Sequence, residues 1–430
     1  MKIAVIGAGY VGLVTATCFA DLGNEVICND IDKDKISKLN RGLIPIYEPG
    51  LEDLIKRNRR EKRISFTFSL KEAVDKSEVI FIAVGTPPKV NGEADLTYVE
   101  NVAREIARFM KSYRLIVEKS TVPVETGMWI KHTLESYARK KVKFDVASNP
   151  EFLREGSAIN DFMHPDRVVI GVESKKAKDI LLELYKPLNA PILVTDMKSA
   201  EIIKHASNSY LATKISFINA IANICEKVGA DVEKVAEGVG LDKRIGKGFL
   251  NAGVGFGGFC LPKDIEAFIC ISDKLGYEFE LLKAVKKIND SQKMLLVNKI
   301  EKAIWNIKDK TIAILGLSFK PNTDDMRFAP SIEVINVLQR EGANIRAYDP
   351  QAMDRARTLL KDVKFCVDSY DAVKGADCVV ILTEWNEFKQ LDMAKIKKLL
   401  RQPLIVDGRN IYEPKKMRES GFKYYSMGRA

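Results

Sequence analysis

The 430-residue chain has little of what marks several protein classes. Its seven cysteines include no CxxC pair and leave one over, which argues against a disulfide framework or a cysteine-based zinc site. No metal is expected. No segment reaches the roughly twenty consecutive apolar residues that a membrane span needs. Glycine and proline, at 27 and 15 residues, are too few for a collagenous chain. A soluble cytoplasmic protein is therefore expected.

Charge of neither sign dominates. Lysine and arginine total 68 against 58 acidic residues, a formal net charge of +10. So dilute an excess favours an anionic partner, but it does not choose among nucleic acid, an acidic membrane and a phosphorylated small molecule. Because no aromatic and basic platform supports nucleic acid, neither a nucleic-acid nor a membrane partner is expected. With 46% hydrophobic residues, this length predicts two or three folded domains.

What is present begins at the N-terminus, where the uncharged run 3–20 contains a glycine turn. The pattern predicts a strand over 2–6, the turn Gly7-Ala8-Gly9-Tyr10-Val11-Gly12, a helix over 11–22 and a strand over 25–29. In this context GxGxxG indicates dinucleotide binding, because glycines let a pyrophosphate approach the backbone and the helix N-terminus donates amides. Asp30 ends the second strand, where a carboxylate accepts from ribose hydroxyls and favours NAD over NADP. A purely structural turn is the alternative.

Strand-like runs at 79–84, 115–118 and 145–147, separated by helical segments, predict a doubly wound parallel sheet over the first two hundred residues. Residues 199–228 contain no glycine or proline and predict a helix about 45 Å long. We expect its apolar stripe to pack along much of its length, as a domain connector and a dimer seam. The stripe consists of Ile203, Ala206, Tyr210, Thr213, Phe217, Ala220, Ile224 and Val228.

The strand and helix pattern restarts near residue 310. Strands over 311–315, 344–348, 378–382 and 404–406, with a helix over 330–342, predict a second α/β domain. The expected fold is therefore α/β, with two Rossmann-like doubly wound domains joined by a long central helix. We expect an NAD-binding domain over 1–198, a central helical domain with a cysteine loop over 199–308, and a second Rossmann-like domain over 309–430.

The densest set of reactive side chains lies in the segment GFGGFCLPKD, at 255–264. The thiol of Cys260, beside a cation and an amide-rich loop, is a candidate nucleophile. Lys263 is suited to meeting a phosphate, and Asp264 to holding water as a general base. The alternative is a glycine turn with a bystander cysteine.

Three weaker signals accompany this segment. Lys204 and Asn208 lie one turn apart on the predicted long helix, as an oxyanion-stabilising pair would, although many surface helices carry such a pair. The segments Val84-Gly85-Thr86-Pro87 and Ser120-Thr121-Val122-Pro123 each end a predicted strand. Both would line the crevice where open sheets bind ligands, but simple turns before proline explain them equally well.

Together these segments resemble the UDP-glucose/GDP-mannose dehydrogenase family nearly end to end. The matching segments are GAGYVGL at Gly7, IPIYEPG at Ile44, GEADLTYV at Gly92, STVPV at Ser120, SNPEFLREGSAI at Ser148, the helix around Lys204, GVGFGG at Gly253, LSFKPNTDDMR at Leu317 and DGRN at Asp407. The resemblance implies NAD-dependent, four-electron oxidation of UDP-glucose to UDP-glucuronate, with the domain over 309–430 binding the UDP-sugar. An aldehyde yields a second hydride only after a nucleophile adds to its carbonyl, so Cys260 would form a thiohemiacetal and then a thioester.

The resemblance also implies roles for individual residues. Asp264 and Thr121 would position water, Lys204 and Asn208 would stabilise oxyanions, and Glu151 would assist thioester hydrolysis. The implied NAD-binding residues are Gly7, Gly9, Tyr10, Val11, Gly12, Asp30, Lys35, Gly85, Thr86, Ser120, Thr121, Lys263 and Arg327. The implied substrate-binding residues are Glu151, Phe152, Leu153, Glu155, Lys204, Asn208, Arg244, Phe249, Leu250, Asn251, Gly257, Phe319, Lys320 and Arg327. Arg244 would reach a neighbouring subunit, in a homodimer formed through the long helix.

Three residues depart from the family pattern. Phe259 replaces a small hydroxylated residue, Glu125 a common glycine and Phe328 a frequent acid. Other functions remain open at this point. The same chemistry on UDP-N-acetylmannosamine or GDP-mannose would leave the fold and the cysteine unchanged. A single-step hydroxy-acid dehydrogenase has no use for Cys260, and a noncatalytic NAD sensor needs only the glycine turn.

Overall fold

The computed structural model describes residues 1–89, 91–139 and 142–429. They form two compact units, Met1–Ser207 with Glu266–Gly276, and Asn208–Ile265 with Tyr277–Ala430. The chain passes from one unit to the other inside two helices, α9 (Met197–Val228) and α11 (Cys260–Lys274). Neither unit is therefore a continuous stretch of sequence.

The first unit is built on a sheet that, within the described residues, has eight strands in the order β3-β2-β1-β4-β5-β6-β7-β8. The strands are β1 Lys2–Ile6, β2 Glu25–Asn29, β3 Ile64–Thr67, β4 Val79–Ile82, β5 Arg114–Glu118, β6 Phe144–Ser148, β7 Val168–Val172 and β8 Ile192–Thr195. All pairs are parallel except β6 with β7, which is antiparallel.

Helices flank this sheet and follow the expected βαβ order. They are α1 Tyr10–Asp21, α2 Lys33–Asn40, α3 Leu51–Arg60, α4 Leu70–Lys76, α5 Thr97–Phe109, α6 Thr126–Tyr137, α7 Ala158–Met163 and α8 Lys175–Tyr185, the last followed by a 3₁₀ turn at Lys186–Leu188. Asp32, Ser69 and Ser174 cap three of them through their side chains. The sheet is buried on both faces, which explains why its strands are continuous apolar runs.

The second unit contains a parallel sheet that, in the part of the chain described, has six strands in the order β11-β10-β9-β12-β13-β14. Its strands are β9 Thr311–Leu315, β10 Asn344–Tyr348, β11 Val363–Phe365, β12 Cys378–Ile381, β13 Leu404–Asp407 and β14 Lys423–Ser426. Its further helices are α10 Val232–Gly240, α12 Glu280–Ile304, α13 Pro330–Arg340, α14 Met353–Leu359, α15 Ser369–Val373, α16 Asn386–Lys389, α17 Met393–Leu399 and α18 Pro414–Glu419. The predicted α/β fold with two doubly wound sheets and a long joining helix is confirmed.

The face of α9 that packs within the second unit differs from the expectation. The buried face contains small and polar residues, Ala212, Ser216, Asn219 and Ala222, together with Ile218 and Cys225. Ser216 donates to the Val285 carbonyl of α12 at 2.9 Å. Small side chains allow this close helix approach. The larger members of the apolar stripe stay outside, with Tyr210, Phe217, Ile224 and Val228 each more than half exposed. The stripe is therefore not the face that α9 buries within one chain, and its expected packing as a dimer seam stays a prediction.

None of the helices described combines the length and the apolar character that crossing a lipid bilayer requires.

Candidate active site

In the N-terminal glycine turn of the first unit, two glycines lie against other backbone atoms and a third borders open space. Gly7 has φ +105°, and a Cβ there would lie 2.5 Å from the Ala83 carbonyl oxygen. A Cβ on Gly12 would lie 1.8 Å from the Gly7 carbonyl oxygen, so only glycine fits either position. At Gly9, in contrast, no described atom beyond its chain neighbours lies within 4 Å of an added Cβ. The turn therefore fits a dinucleotide, since the pyrophosphate needs open space against the backbone at the start of a helix.

Asp30 ties the second strand to this turn. Its Oδ2 accepts from the Ala8 amide and the Lys35 ammonium, both at 2.8 Å, and its Oδ1 accepts from the Asp32 amide at 3.0 Å. The carboxylate thus lies directly beside the turn with a cation against it. This arrangement suits a group that accepts from ribose hydroxyls.

Tyr10, which with Val11 opens α1, connects the turn to a distant segment through Glu48. The Tyr10 hydroxyl bonds to Glu48, which also accepts from the amides of Gly156 (2.6 Å) and Ala158 (2.7 Å). Burial and the carboxylate raise the pKa of Tyr10 well above its usual range. The sequence gave no role to Glu48, although an acid within an apolar, proline-flanked segment is a usable signal. Through it, the segment carrying Glu155 is fixed next to the cofactor turn.

Two predicted cofactor segments meet at the ends of β4 and β5. The Thr86 hydroxyl donates to the Thr121 carbonyl oxygen at 2.9 Å. The Ser120 hydroxyl donates to the Val84 carbonyl oxygen at 2.9 Å. These bonds bring the Gly85 and Thr121 segments together at the sheet edge where α/β proteins bind ligands.

A buried ion pair joins two predicted catalytic residues of the first unit. The Lys204 ammonium lies 3.3 Å from Glu151 Oε1, and both side chains are about 95% buried. Glu151 Oε2 accepts from the Leu153 amide at 2.6 Å. The Phe152 ring stacks against the Arg167 guanidinium at 3.7 Å and lies 5.3 Å from the Lys204 ammonium. The segment 151–153 is therefore held rigidly by charge and by ring contacts.

Sequence reasoning missed the buried charges behind this segment. Lys119 is 4% exposed and donates to Asn149 Oδ1 at 3.0 Å, and burial lowers its pKa to about 8. Burial also raises the pKa of the neighbouring Glu118 to about 8. In sequence both look like ordinary surface charges at a strand end. Their environment becomes visible only when the sheet is assembled.

The second unit places Cys260 at the first position of α11, where it is exposed. Asp264 follows one turn later and is 1% exposed. Its two oxygens accept from Asn208 Nδ2 and from Lys263 Nζ, each at 2.6 Å. The structure therefore joins three candidate groups, with Lys263 directed to a carboxylate. A thiol at a helix N-terminus lies where the helix dipole favours the thiolate.

Amide side chains hold the glycine loop before Cys260. Asn289 accepts from the Phe256 amide at 2.8 Å and donates to its carbonyl at 3.2 Å. Asn219 accepts from the Gly253 amide at 2.8 Å, and Gln292 donates to the Gly253 carbonyl at 3.1 Å. These three residues had no recognisable sequence signal, because they lie on long helices far from the loop in sequence. Within the same loop Phe249 has φ +64°, Leu250 is buried and Asn251 is exposed.

Phe259, one of the departures from the family pattern, packs against two cations. The Arg327 guanidinium lies 4.3 Å from its ring centroid, and Lys263 Nζ lies 5.4 Å away. Arg327 bonds both oxygens of Asp325, each through Nε at 2.9 Å. A Cβ on Gly257 would lie 2.3 Å from the Phe328 carbonyl oxygen. The segment around Arg327 thus closes against the cysteine loop, where a phenyl ring supports the guanidinium.

The remaining predicted substrate residues of this unit fall into two places. Arg409 donates to the carbonyls of Gly255 (3.0 Å) and Phe319 (3.2 Å), which ties the Phe319-Lys320 segment to the cysteine loop. Arg244 is exposed and pairs with Asp242 at 2.6 Å.

Comparison with known proteins adds to this geometry. The NAD binding domain of the UDP-glucose/GDP-mannose dehydrogenase family matches residues 1–189, its central domain 198–291, and its UDP binding domain 313–414. UDP-glucose 6-dehydrogenase TuaD of Bacillus subtilis is 51% identical over 429 residues, covering 100% of this chain and 93% of that protein. UDP-glucose 6-dehydrogenase of Rhizobium meliloti is 47% identical over 436 residues, with full coverage of both.

Two solved structures are similar to this chain over its whole length. A UDP-glucose dehydrogenase from the archaeon Pyrobaculum islandicum has a TM-score of 0.93 and 41% identity, covering 100% of this chain and 98% of that one. A UDP-D-ManNAc dehydrogenase from Pyrococcus horikoshii has a TM-score of 0.88 and 30% identity, covering 100% and 99%. The match of the NAD binding domain coincides with the unit whose glycine turn fits a dinucleotide. The chain is thus an NAD-dependent oxidoreductase and belongs to the UDP-glucose/GDP-mannose dehydrogenase family.

Proposed function

We propose that this chain oxidises UDP-glucose to UDP-glucuronate in two NAD-dependent steps, with Cys260 as the covalent nucleophile. The observation that carries the proposal is the cluster at the start of α11, where exposed Cys260 precedes buried Asp264, itself bonded to Asn208 and Lys263. The names of the two relatives at 51% and 47% identity support the choice of sugar. The glycine turn at Gly7 supports the choice of cofactor.

NAD, when bound, supplies the hydride acceptor for both oxidations. In the first, the C6 carbon of the glucosyl group loses a hydride to NAD and its hydroxyl loses a proton, so that the primary alcohol becomes an aldehyde. Asp264 acts as the base that takes the hydroxyl proton, directly or through water that Thr121 helps to hold. Lys204 and Asn208 stabilise the alkoxide as it forms.

The second oxidation needs the thiol. The Cys260 sulfur bonds to the aldehyde carbon, and the carbonyl oxygen becomes the hydroxyl of a thiohemiacetal. Loss of a hydride and a proton from that carbon and hydroxyl gives the thioester. Water then adds, the carbon–sulfur bond breaks, and the products are a carboxylate, the regenerated thiol and a proton. We assign activation of this water to Asp264 with assistance from Glu151.

The rest of the site is assigned by the same proposal. The first unit holds NAD through the glycine turn, Asp30, Lys35 and the Thr86 and Thr121 segments. The glucosyl diphosphate is held by the segments 152–155, 249–257 and 319–327. With the predicted domain boundaries at 198 and 308, each domain contributes one of these segments. A homodimer through α9 is supported by the exposed stripe of Tyr210, Phe217, Ile224 and Val228. Exposed Arg244 is the group offered to the partner's substrate, and a cytoplasmic enzyme suits the unpaired spacing of the cysteines.

The test is Cys260→Ser. We expect overall turnover of UDP-glucose to fall on the order of 10³-fold or more, because an alkoxide leaving group is poorer than a thiolate and the acyl stage stalls. NADH released per UDP-glucose is counted by absorbance, with two equivalents expected for the wild type. NAD binding should be unchanged.

Cys270→Ser is the matched control, because Cys270 lies on the same helix and its thiol donates to the Asn91 carbonyl. It should retain near-wild-type turnover. Wild-type turnover of UDP-glucose by Cys260→Ser would end the covalent mechanism. A turnover panel with UDP-N-acetylmannosamine and GDP-mannose tests the sugar, and absence of NADH with UDP-glucose would reject that substrate.

A further inference from the structure

The segment 120–127, here called the Thr121 turn, is held at its backbone by several side chains of the first unit. Glu118 Oε1 accepts from the Ser120 amide at 2.6 Å, and Thr86 donates to the Thr121 carbonyl at 2.9 Å. His205 Nε2 lies 2.8 Å from the Val122 carbonyl oxygen. Because the turn carries Thr121, any group that fixes its backbone also fixes that side chain.

At its C-terminal end, the Thr121 turn is held by two hydrogen bonds to Glu201 on α9. Glu201 Oε2 accepts from the Glu125 amide at 2.7 Å, and Oε1 accepts from the Gly127 amide at 2.8 Å. These are amides of the first turn of α6, which have no partner within their own helix. Glu201 is 2% exposed, and the mechanism above gives it no role.

The Glu201 side chain packs closely against the start of α6. A Cβ on Gly127 would lie 3.0 Å from Met197 Sδ and 3.3 Å from Glu201 Oε1. The start of α6 therefore approaches α9 so closely that the carboxylate fills the space between them. Loss of the carboxylate would leave buried amides without their acceptor, a loss that rearranges the turn instead of being absorbed locally.

The charges around Glu201 make the strength of its two amide hydrogen bonds depend on pH. Burial raises its pKa to about 7, against the two amide bonds that lower it. Glu125 at the start of α6 and Glu118 at the end of β5 are like charges, whereas Lys198 on α9 is an opposite charge that pairs with Glu125 at 2.7 Å. His205 lies one turn further along α9. Only the ionised carboxylate offers both oxygens fully to the amides, so the hold strengthens as the pH rises through 7.

We propose that Glu201 is a positioning residue, which from α9 fixes the first turn of α6 and thereby the Ser120-Thr121 backbone beside the cofactor. The same helix carries Lys204 one turn later, so a single rigid element sets two parts of the site. The inference rests on the proposed function for the meaning of Thr121, but the hold itself does not depend on the identity of the sugar.

The kinetic test compares Glu201→Gln with Glu173→Gln. Glu173 is a matched control, because its carboxylate also binds a residue of α6. It pairs with Lys131 at 2.7 Å, and both side chains are partly exposed. For Glu201→Gln we expect kcat to fall by about tenfold to a hundredfold, as a misplaced turn would cause, with the KM for UDP-glucose within about threefold of the wild-type value. The decline of wild-type kcat below about pH 7 should disappear in Glu201→Gln and persist in the control.

A second measurement needs no turnover. Amide hydrogen exchange in the apo chain, read by mass spectrometry over 120–130, should accelerate in Glu201→Gln at pH 8 and stay unchanged in Glu173→Gln. Glu201→Asp keeps the charge but shortens its reach, so it should give intermediate exchange and partly restored kcat. Unchanged exchange and kcat in Glu201→Gln would overturn the inference. If wild type made no NADH from UDP-glucose, the proposed substrate would fail while the exchange data still decided the role of Glu201.

Discussion

The two units start their sheets with the same backbone turn but use it differently. Gly7 after β1 has φ +105°, and its amide donates to the Asn29 carbonyl at 2.7 Å. Gly316 after β9 has φ +96°, and its amide donates to the Tyr348 carbonyl at 2.9 Å. In each unit the strand next in sequence ends in an aspartate whose Oδ2 accepts the amide that follows the glycine. The shared fold therefore extends to individual hydrogen bonds.

The difference lies in what else each aspartate bonds. Asp30 accepts from the Ala8 amide, one neighbouring amide and a lysine, next to the open space at Gly9. Asp349 accepts six bonds and is 1% exposed. Its donors are the Leu317, Ser318, Gln351 and Ala352 amides, the Ser318 hydroxyl and Trp385 Nε1. The same turn thus borders open space in one unit and forms a closed structural joint in the other, which is why function must be argued from the site.

The largest expected effect tests what the turns share. Gly7→Ala and Gly316→Ala should each destabilise the chain by roughly 4 kcal/mol, because a left-handed residue is strained and the added Cβ overlaps its neighbours. For Gly316 those neighbours are the Thr383 backbone and side chain, 2.5 to 2.6 Å away. Urea unfolding measures both variants.

Gly9→Ala is the control for that pair, with stability within about 0.5 kcal/mol of wild type and weaker NAD binding. A Gly316 variant as stable as wild type would show that the two turns are not equivalent.

A smaller effect separates the two aspartates. Asp349→Asn should cost about 2 to 3 kcal/mol, because an amide offers only one acceptor atom to a fully bonded, buried site. Asp30→Asn should cost under about 1 kcal/mol but raise the NAD dissociation constant about tenfold. Thermal unfolding and NAD titration of both variants give the comparison. Equal destabilisation, or an NAD defect in Asp349→Asn, would contradict the division between site and joint.

The smallest effect concerns a strained residue in each unit. Glu125 and Phe328 have φ +77° and +51°, and both depart from the family pattern. Glu125→Gly should stabilise the chain by about 0.5 kcal/mol, since relief of the left-handed conformation exceeds loss of the exposed pair with Lys198. Phe328→Gly should give a gain of similar size, because the Phe328 side chain is also exposed and loses little packing.

Glu125→Ala is the discriminating control, because it keeps the strain and loses the pair. It should be less stable than wild type in urea unfolding. If alanine and glycine behave alike, strain contributes nothing at this position.

Local signals in the sequence predicted much of the fold. Strands over 2–6, 25–29, 311–315 and 344–348 match the observed bounds, because buried apolar runs flanked by glycine leave few alternatives. The pairing of Asp264 with Asn208 and Lys263 had only partial support, since spacing along a helix says nothing about partners on other elements. The face that α9 buries within the second unit was not predicted, because Ala212, Ser216, Asn219 and Ala222 give no strong apolar signal in the sequence.

Buried charges were the least predictable part of the site. Glu118 and Lys119 lie at the end of a predicted strand and Glu201 lies on a predicted helix, where charged side chains usually face solvent. Their burial and their shifted pKa values arise from segments that are distant in sequence. A charge count places such groups in water, and only tertiary contacts reveal that they are not.

The membership of Glu266–Gly276 in the first unit has a consequence for how the chain is made. A ribosome finishes all eight strands of the first sheet long before it adds these residues, which supply contacts such as the Cys270 bond to Asn91. During synthesis the surface of the N-terminal part that later contacts Glu266–Gly276 therefore stays exposed to solvent until those residues are made. Nascent chains are most prone to aggregate at this stage. Expression of 1–207 alone would make that vulnerable intermediate permanent.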